Sequence, residues 1–358
     1  MGNDSIVYIR TDGNDKIATG HLVRCLCLAQ CLKEVCNTIC FIVSDSISSS
    51  LLKDLWNSLF TSSTFPFEIN ILDSAVFYDL EAEIDELCNL IGEKEYLCSL
   101  PLLIVDSYYV TPSYFGRLKQ AATVVYIDDL KAFDYEVDIV INYDVIPLSQ
   151  MDEYEQFYSK AKKTLLGAQY TPLRKQFQNQ KIEFRPRFQN ILITTGGSDP
   201  YNFTCNLINF LQEHQITLDL HVIIGKLFHH TTDLESLSLR YSNIHLYQDV
   251  KNMAVLMKQC DFAISAAGTT LYELCALGIP SISISMADNQ MTIAKAFSQI
   301  GAVFYAGDIR IESVYETILE YLSTMANDSA LRYQQQEIMH TLVDGNGVLR
   351  IVENLLSL

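Results

Sequence analysis

Short runs of Val, Ile and Leu alternate along this chain with segments whose apolar residues recur every three to four positions. The runs show no polar alternation, which is the pattern of strands covered on both faces. In the first half they fall at 5–10, 38–44, 67–72 (the weakest), 102–108, 123–129 and 138–144. Helical periodicity separates them at 21–35, 47–59 and 79–94. In the second half strand runs lie at 190–197, 218–225, 243–249, 261–268 and 280–285, with helical patterns at 253–260, 269–278 and 289–301. The remainder, towards the C-terminus, reads as mostly helical. Repeated strand–helix units predict an α/β protein with parallel, doubly wound sheets. No repeat of solenoid length and no low-complexity tract interrupts them.

One stretch breaks the rhythm. Residues 171–189 are rich in Lys and Arg, contain Pro172 and Pro186, and show no strand pattern. They read as a linker. The predicted organisation is an N-terminal Rossmann-like domain over 1–170, the linker 171–189, a C-terminal Rossmann-like nucleotide-binding domain over 190–345, and a C-terminal helix over 346–358. Two such domains leave a central cleft, and ligand sites favour clefts and the carboxyl ends of strands. The length of 358 residues suits two domains.

Composition narrows the partners. Hydrophobic residues make up 49% and charged residues 19%, a globular balance. The formal net charge of −18 argues against nucleic acid or an anionic membrane, both of which select basic surfaces. An anionic substrate then has to be held by local backbone dipoles against the overall field. The opening segment has no basic, apolar leader pattern, and Ile6 stands where a myristoylation signal carries Ser or Thr. No apolar run approaches the ~18 residues of a membrane span. The expectation is a cytoplasmic protein with no membrane insertion and no obligate protein partner. Ten cysteines, five of them between Cys25 and Cys40, form no C-x-x-C pair. They read as small, reduced, buried residues and not as a metal site.

Four motifs can carry chemistry. In the first, Arg10-Thr11-Asp12 ends a strand and Gly20-His21-Leu22-Val23-Arg24 begins a helix. Gly20 allows close approach of a ligand. His21 lies in the first helical turn, where the positive helix end disfavours imidazolium and suits a neutral general base. The same position also suits a His that only caps or packs. Arg10 and Arg24 can contact substrate or pair with Asp12. In the second, Thr195-Gly196-Gly197-Ser198-Asp199-Pro200 runs from a strand toward a helix, either an anion cradle or a tight turn. In the third, Ser265-Ala266-Ala267-Gly268-Thr269 opens a helix that can hold a diphosphate, with Glu273 one turn in, placed either for ribose hydroxyls or simply for the helix end. Asn289 and Gln290 open the next helix. The fourth is Asp106-Ser107-Tyr108 at a strand end, with Tyr126-Ile127-Asp128-Asp129 repeating the pattern; each can face the cleft or cap a following segment.

In this order, with Asp138-Ile139-Val140-Ile141-Asn142 and the Leu165-to-Arg174 segment, the motifs resemble those of the UDP-2,4-diacetamido-2,4,6-trideoxy-β-L-altropyranose hydrolases. These belong to the pseudaminic acid (nonulosonic acid) pathway and are grouped with spore-coat polysaccharide proteins of the SpsG type. The second half also resembles the C-terminal domain of the N-acetylglucosaminyltransferase that makes lipid II. The resemblance runs from residue 6 to about residue 300. It implies a GT-B architecture, two Rossmann-like domains facing a central cleft. It also implies inverting hydrolysis of a UDP-sugar to free sugar and UDP, without metal or cofactor. Carried over residue by residue, it makes His21 the base and Tyr108 the Tyr of an Asp-His-Tyr motif, with Ser107 where some members have His. Glu273 becomes the nucleotide-binding Glu, and Asn289 and Gln290 the cleft-facing pair. Arg10, Asp12, Gly20, Arg24, Asp106, Gly196, Gly197, Ser198, Ala267, Gly268 and Thr269 complete the expected substrate contacts. The alternative on this scaffold is a glycosyltransferase using a UDP-sugar donor; a binding protein without catalysis is a third reading.

Overall fold

The computed structural model describes residues 6–14, 16–17, 19–60, 64–92, 100–311 and 313–357. The chain divides into two compact units, residues 1–174 with 346–358, and residues 175–345. The ends of two expected elements, Ser5 before the first strand and residues 93–94 of the acidic helix, lie outside the described residues.

In the first unit the strands are β1 (Ile6–Thr11), β2 (Thr38–Val43), β3 (Glu68–Ile71), β4 (Leu102–Asp106), β5 (Thr123–Ile127), β6 (Ile139–Asn142) and β7 (Lys163–Leu166). They form one seven-stranded sheet in the order β3-β2-β1-β4-β5-β6-β7, parallel throughout. β1 shows why apolar runs were required. Val7 and Ile9 enter one core while Tyr8 enters the core on the other face. Helices cover both faces, so neither face of a strand tolerates a solvated side chain.

The second unit carries β8 (Asn190–Thr194), β9 (Asp219–Ile224), β10 (Ile244–Gln248), β11 (Phe262–Ala266), β12 (Ser281–Ser285) and β13 (Phe304–Asp308). Their order is β10-β9-β8-β11-β12-β13, again all parallel. Both sheets therefore reverse their winding beside the first strand, between β1 and β4 and between β8 and β11. Ligands of open α/β sheets bind outside the carboxyl ends of strands at such a reversal.

The C-terminal helix, Gly347–Leu356, does not stand apart: Val348, Ile351, Val352 and Leu355 enter the core that holds Leu22 and Leu26 of the helix Gly20–Leu32. Gly347 is required for that seat, because a Cβ there would lie 2.1 Å from the Thr171 carbonyl oxygen. The units divide at residue 174, inside the expected linker 171–189, where Leu173 and Phe177 are buried. The expected helix after Gly196-Gly197 begins at Phe203, with Pro200 ahead of it in the loop. Among the described residues no helix is long and apolar enough to cross a membrane.

Candidate functional site

In the first unit the winding reversal is occupied by charged side chains. β1 and β4 are neighbours, with Thr11 opposite Asp106. The chain leaves β1 and enters the helix Gly20–Leu32, whose Thr19 cap position makes no side-chain hydrogen bond. His21 and Arg24 stand three residues apart and so share one face of that helix. That face turns to the end of β4. His21 Nδ1 lies 2.5 Å from Asp106 Oδ1. Arg24 donates Nε to Asp106 Oδ2 at 2.6 Å and Nη2 to Asp106 Oδ1 at 2.5 Å. The thiol of Cys25 adds a weak donor to Oδ2 at 3.4 Å.

Two groups meet Nδ1: Asp106 Oδ1, which can only accept, and Arg24 Nη2 at 3.0 Å, which can only donate. A proton on Nδ1 satisfies the shorter, carboxylate contact, and a neutral ring in that tautomer carries its lone pair on Nε2. Burial opposes ionisation of Asp106, but Arg24 and His21 together hold its carboxyl well below the usual carboxylate range. Asp106 thus stays anionic and orients its partners. It is itself 1% exposed.

The same guanidinium reaches outward. Arg24 Nη1 donates to Asp129 Oδ2 at 2.6 Å and also contacts the Tyr143 hydroxyl. Tyr108 donates its hydroxyl to Asp129 Oδ2 at 3.3 Å and packs edge-on against the His21 ring, with centroids 4.4 Å apart. Burial and the Asp129 charge push the Tyr108 phenol above its ordinary value, so it remains protonated. Asp129 is the most open charge of the group, with a quarter of its side chain exposed. Buried, mutually perturbed groups at a strand-end reversal make this a candidate functional site.

The first motif divides at this point. Arg10 was expected among the substrate contacts, and the structure corrects this. Its guanidinium is fully buried, with Nε and Nη2 on Glu83 at 2.6 and 2.7 Å and Nη1 on Asp12 at 2.5 Å. Tyr114 donates to the same Glu83 at 2.9 Å. Asp12 is likewise removed from the substrate set. Its Oδ2 serves Arg10 and its Oδ1 accepts from the Ser44 amide and hydroxyl at 2.7 and 2.9 Å. Both carboxylate oxygens of Asp106, in turn, meet His21 and Arg24.

In the second unit the equivalent positions are backbone, not side chain. The loop after β8 turns through Gly196 at φ +85°. A Cβ on Gly225 would lie 2.4 Å from the carbonyl oxygens of Gly196 and Gly197, so the loop rests on a bare backbone. Its anion cradle is partly used up. Gly196 N–H donates to Thr194 Oγ1 at 3.3 Å, and Asp199 caps the helix Phe203–Glu213 by accepting from the Phe203 and Thr204 amides at 2.8 Å each. Those two amides are therefore not open to an incoming anion. Gly197 is exposed and Ser198 half-buried.

The loop after β11 differs. The helix Thr269–Leu277 begins at Gly268 without a side-chain cap, and Thr269 is exposed at its first turn. Ala267 offers no donor there, since it is fully buried and its N–H is bonded to the Ile284 carbonyl. Glu273 is buried in the same helix. Asn289 is exposed at the start of the helix Asp288–Gln299, where Gln290 accepts from the Met286 amide at 2.9 Å. Among the described residues no group of three His, Cys, Asp or Glu side chains is arranged to hold a metal ion.

Asp129 and Tyr143 join the site without having been singled out as site residues. Both follow strand ends, β5 and β6, so the strand-end signal that marked Asp106 marks them too.

Residues 190–344 match the glycosyltransferase family 28 C-terminal domain. The chain is similar to an uncharacterized protein of Methanocaldococcus jannaschii, at 36% identity over 40% of this chain and 31% of that one. It is similar to the spore coat polysaccharide biosynthesis protein SpsG of Bacillus subtilis, at 27% over 54% of this chain and 58% of that one. A UDP-2,4-diacetamido-2,4,6-trideoxy-beta-L-altropyranose hydrolase of Campylobacter jejuni is 23% identical over 82% of this chain and 97% of its own. The chain thus spans less than two thirds of the first two relatives and nearly all of the third. Among solved structures, MurG of Acinetobacter baumannii superposes with a TM-score of 0.68 at 14% identity, covering 99% of this chain and all of the other. The fold is that of the GT-B proteins.

Proposed function

From a second unit of glycosyltransferase family 28 type and a first unit built around His21, we propose that the chain hydrolyses a UDP-linked sugar at its anomeric carbon. The observation that carries this reading is the His21–Asp106 pair at the winding reversal of the first sheet, with Nδ1 held by a buried carboxylate 2.5 Å away. An imidazole fixed in that tautomer presents Nε2 as a base, as the acid–histidine pairs of hydrolases do.

In the proposed reaction Nε2 takes a proton from a water molecule. The water oxygen bonds to the anomeric carbon, and the bond from that carbon to the diphosphate oxygen breaks, with inversion. UDP leaves with the bonding electron pair, and the proton passes from His21 to solvent. The uncapped N–H groups of the helix Thr269–Leu277 support the diphosphate charge. Arg24 keeps Asp106 ionised and Tyr108 in place, so both act on the base by positioning it. No step calls for a metal. The relative of like length suggests a 2,4-diacetamido-2,4,6-trideoxy sugar as the substrate.

The family 28 match favours one second reading, transfer of the sugar to an acceptor. The test is incubation with a panel of UDP-sugars, including UDP-2,4-diacetamido-2,4,6-trideoxy-β-L-altropyranose, in EDTA and without acceptor. Hydrolysis predicts equal release of UDP and free sugar, the latter first seen as the inverted anomer. Release that waits for an added acceptor contradicts hydrolysis and supports transfer.

A further inference from the structure

The amino-terminal edge of the second sheet carries a cluster of cations that the reaction above does not use. Arg185 and Arg187 come from the basic stretch ahead of β8, and Lys258 follows the short helix Met253–Met257. With Gln189, Asn190, His221 and Gln259 they line a cavity of about 510 Å³. No carboxylate is among these lining residues. The depression is open to solvent. Asn190 is the first residue of β8, while Gly196 follows its last. At about 3.3 Å per residue over the five-residue strand, roughly 16 Å separates this cavity from the loops that face the proposed substrate.

The cluster is built, not incidental. Beneath it lies Arg332, which is 2% exposed. Its Nη1 donates to the Arg185 and Arg187 carbonyls at 3.3 and 3.0 Å, and its Nη2 donates to the Pro186 carbonyl at 2.6 Å. Its guanidinium also lies over the rings of Phe184 and Phe188. A buried cation therefore fixes the backbone that presents two further cations. The counter-charge is one buried carboxylate. Asp261 accepts from the Gln189 and Asn190 amides at 3.1 and 3.0 Å and from Arg187 Nε at 3.2 Å, with Arg185 Nη1 at 3.8 Å. Asp261 reaches Arg187 only through Nε, and 59% of that side chain remains exposed. A guanidinium steadied at Nε keeps its outer fork for an oxyanion. His221 is steadied at both nitrogens, by Tyr247 Oη at 2.9 Å and Asn190 Oδ1 at 3.2 Å. On a chain of net charge −18, local charges within a Debye length outweigh the distant field.

We propose that this cavity is a second binding site, for a small ligand bearing phosphate-type oxyanions, held by Arg185, Arg187 and Lys258. It is independent of His21 and of the UDP-sugar reading. The experiment is calorimetric titration of the full chain with inorganic pyrophosphate in 0.15 M NaCl. Amide exchange over residues 183–190 and 258–262 is followed in parallel. A ten-residue polyglutamate peptide serves as a further arm. The expected result is saturable pyrophosphate binding that protects both segments. R185Q/R187Q should weaken it by about tenfold or more, and K258Q by several-fold. Thermal melting checks that the variants fold, and Arg187→Lys, which keeps charge but not the fork, should fall between. Pyrophosphate affinity and protection that survive in both R185Q/R187Q and K258Q overturn the proposal. So does polyglutamate binding tighter than pyrophosphate through the same residues, which would make this face a docking surface for an acidic protein.

Discussion

The two units share one strand order over six strands, to which the first adds β7, yet they furnish the same topological position with opposite materials. Beside β1 and β4 the first unit places a network of side chains, His21, Asp106, Arg24, Asp129, Tyr108 and Tyr143, joined by hydrogen bonds and ion pairs. Beside β8 and β11 the second unit places glycines, small residues and a bare helix start. The contrast teaches that a winding reversal supplies only a location. A network of titratable groups suits proton transfer, whereas backbone donors suit holding charge without reacting with it.

Variants that separate frame from chemistry sharpen the comparison most. Glu83→Ala leaves Arg10 buried with only Asp12 as partner, so it should cost about 3–5 kcal/mol of stability. Denaturant unfolding measures this; a normal midpoint with a raised KM would return Arg10 to the substrate contacts. Next comes Asp106→Asn, which keeps the shape but no longer secures the Nδ1 proton. Turnover should fall by about 10²–10⁴-fold. Acid unfolding of the unaltered protein bears on the same residue. The folded carboxyl titrates below its unfolded value near 3.9, so its stabilisation is complete above that pH and fades as pH falls. Asp106→Asn should therefore flatten the acid limb of stability against pH.

In the second unit Gly225→Ala drives a Cβ against the Gly196-Gly197 backbone. A stability loss of about 1–3 kcal/mol is expected, with weaker UDP binding in the same titration; unchanged UDP affinity would detach this loop from the nucleotide. The smallest effect belongs to Asp144, beside the first site. Burial raises its pKa to about 6, against hydrogen bonds from Asn142 and Tyr154. A raised folded pKa means the charged form is disfavoured, so stability falls as pH rises from about 4 to about 6. Asp144→Asn should gain about 1 kcal/mol at pH 8 and lose that advantage near pH 4. Thermal melts at both pH values report it.

Much of the fold was readable because buried parallel strands must be apolar throughout. Every strand from β1 to β6 and from β8 to β12 falls within an expected strand run, most of them apolar, although EINI, IHLYQ and SISIS carry polar residues. The edge strands β7 and β13 escaped: KTLL is four residues and half polar, and FYAGD carries Gly and Asp at its end with no Val, Ile or Leu. The site was readable only in part. Strand-end and helix-start positions pointed to His21, Asp106 and Tyr108, but their pairing depends on a register between residues 85 apart. Arg10 misled because a charged residue beside a loop suggests a ligand. Its place inside a strand covered on both faces was the contrary signal. Asp199 escaped for another reason: a helix-capping carboxylate and a phosphate-facing one occupy the same sequence position.

The account stands on His21 as a base that does not bind nucleotide. The most direct measurement sets single-turnover cleavage by His21→Ala beside its affinity for UDP. Cleavage slowed by about 10²–10⁴-fold with UDP affinity within twofold of the unaltered protein is the predicted result. Cleavage and affinity falling together, or cleavage undiminished, would contradict it.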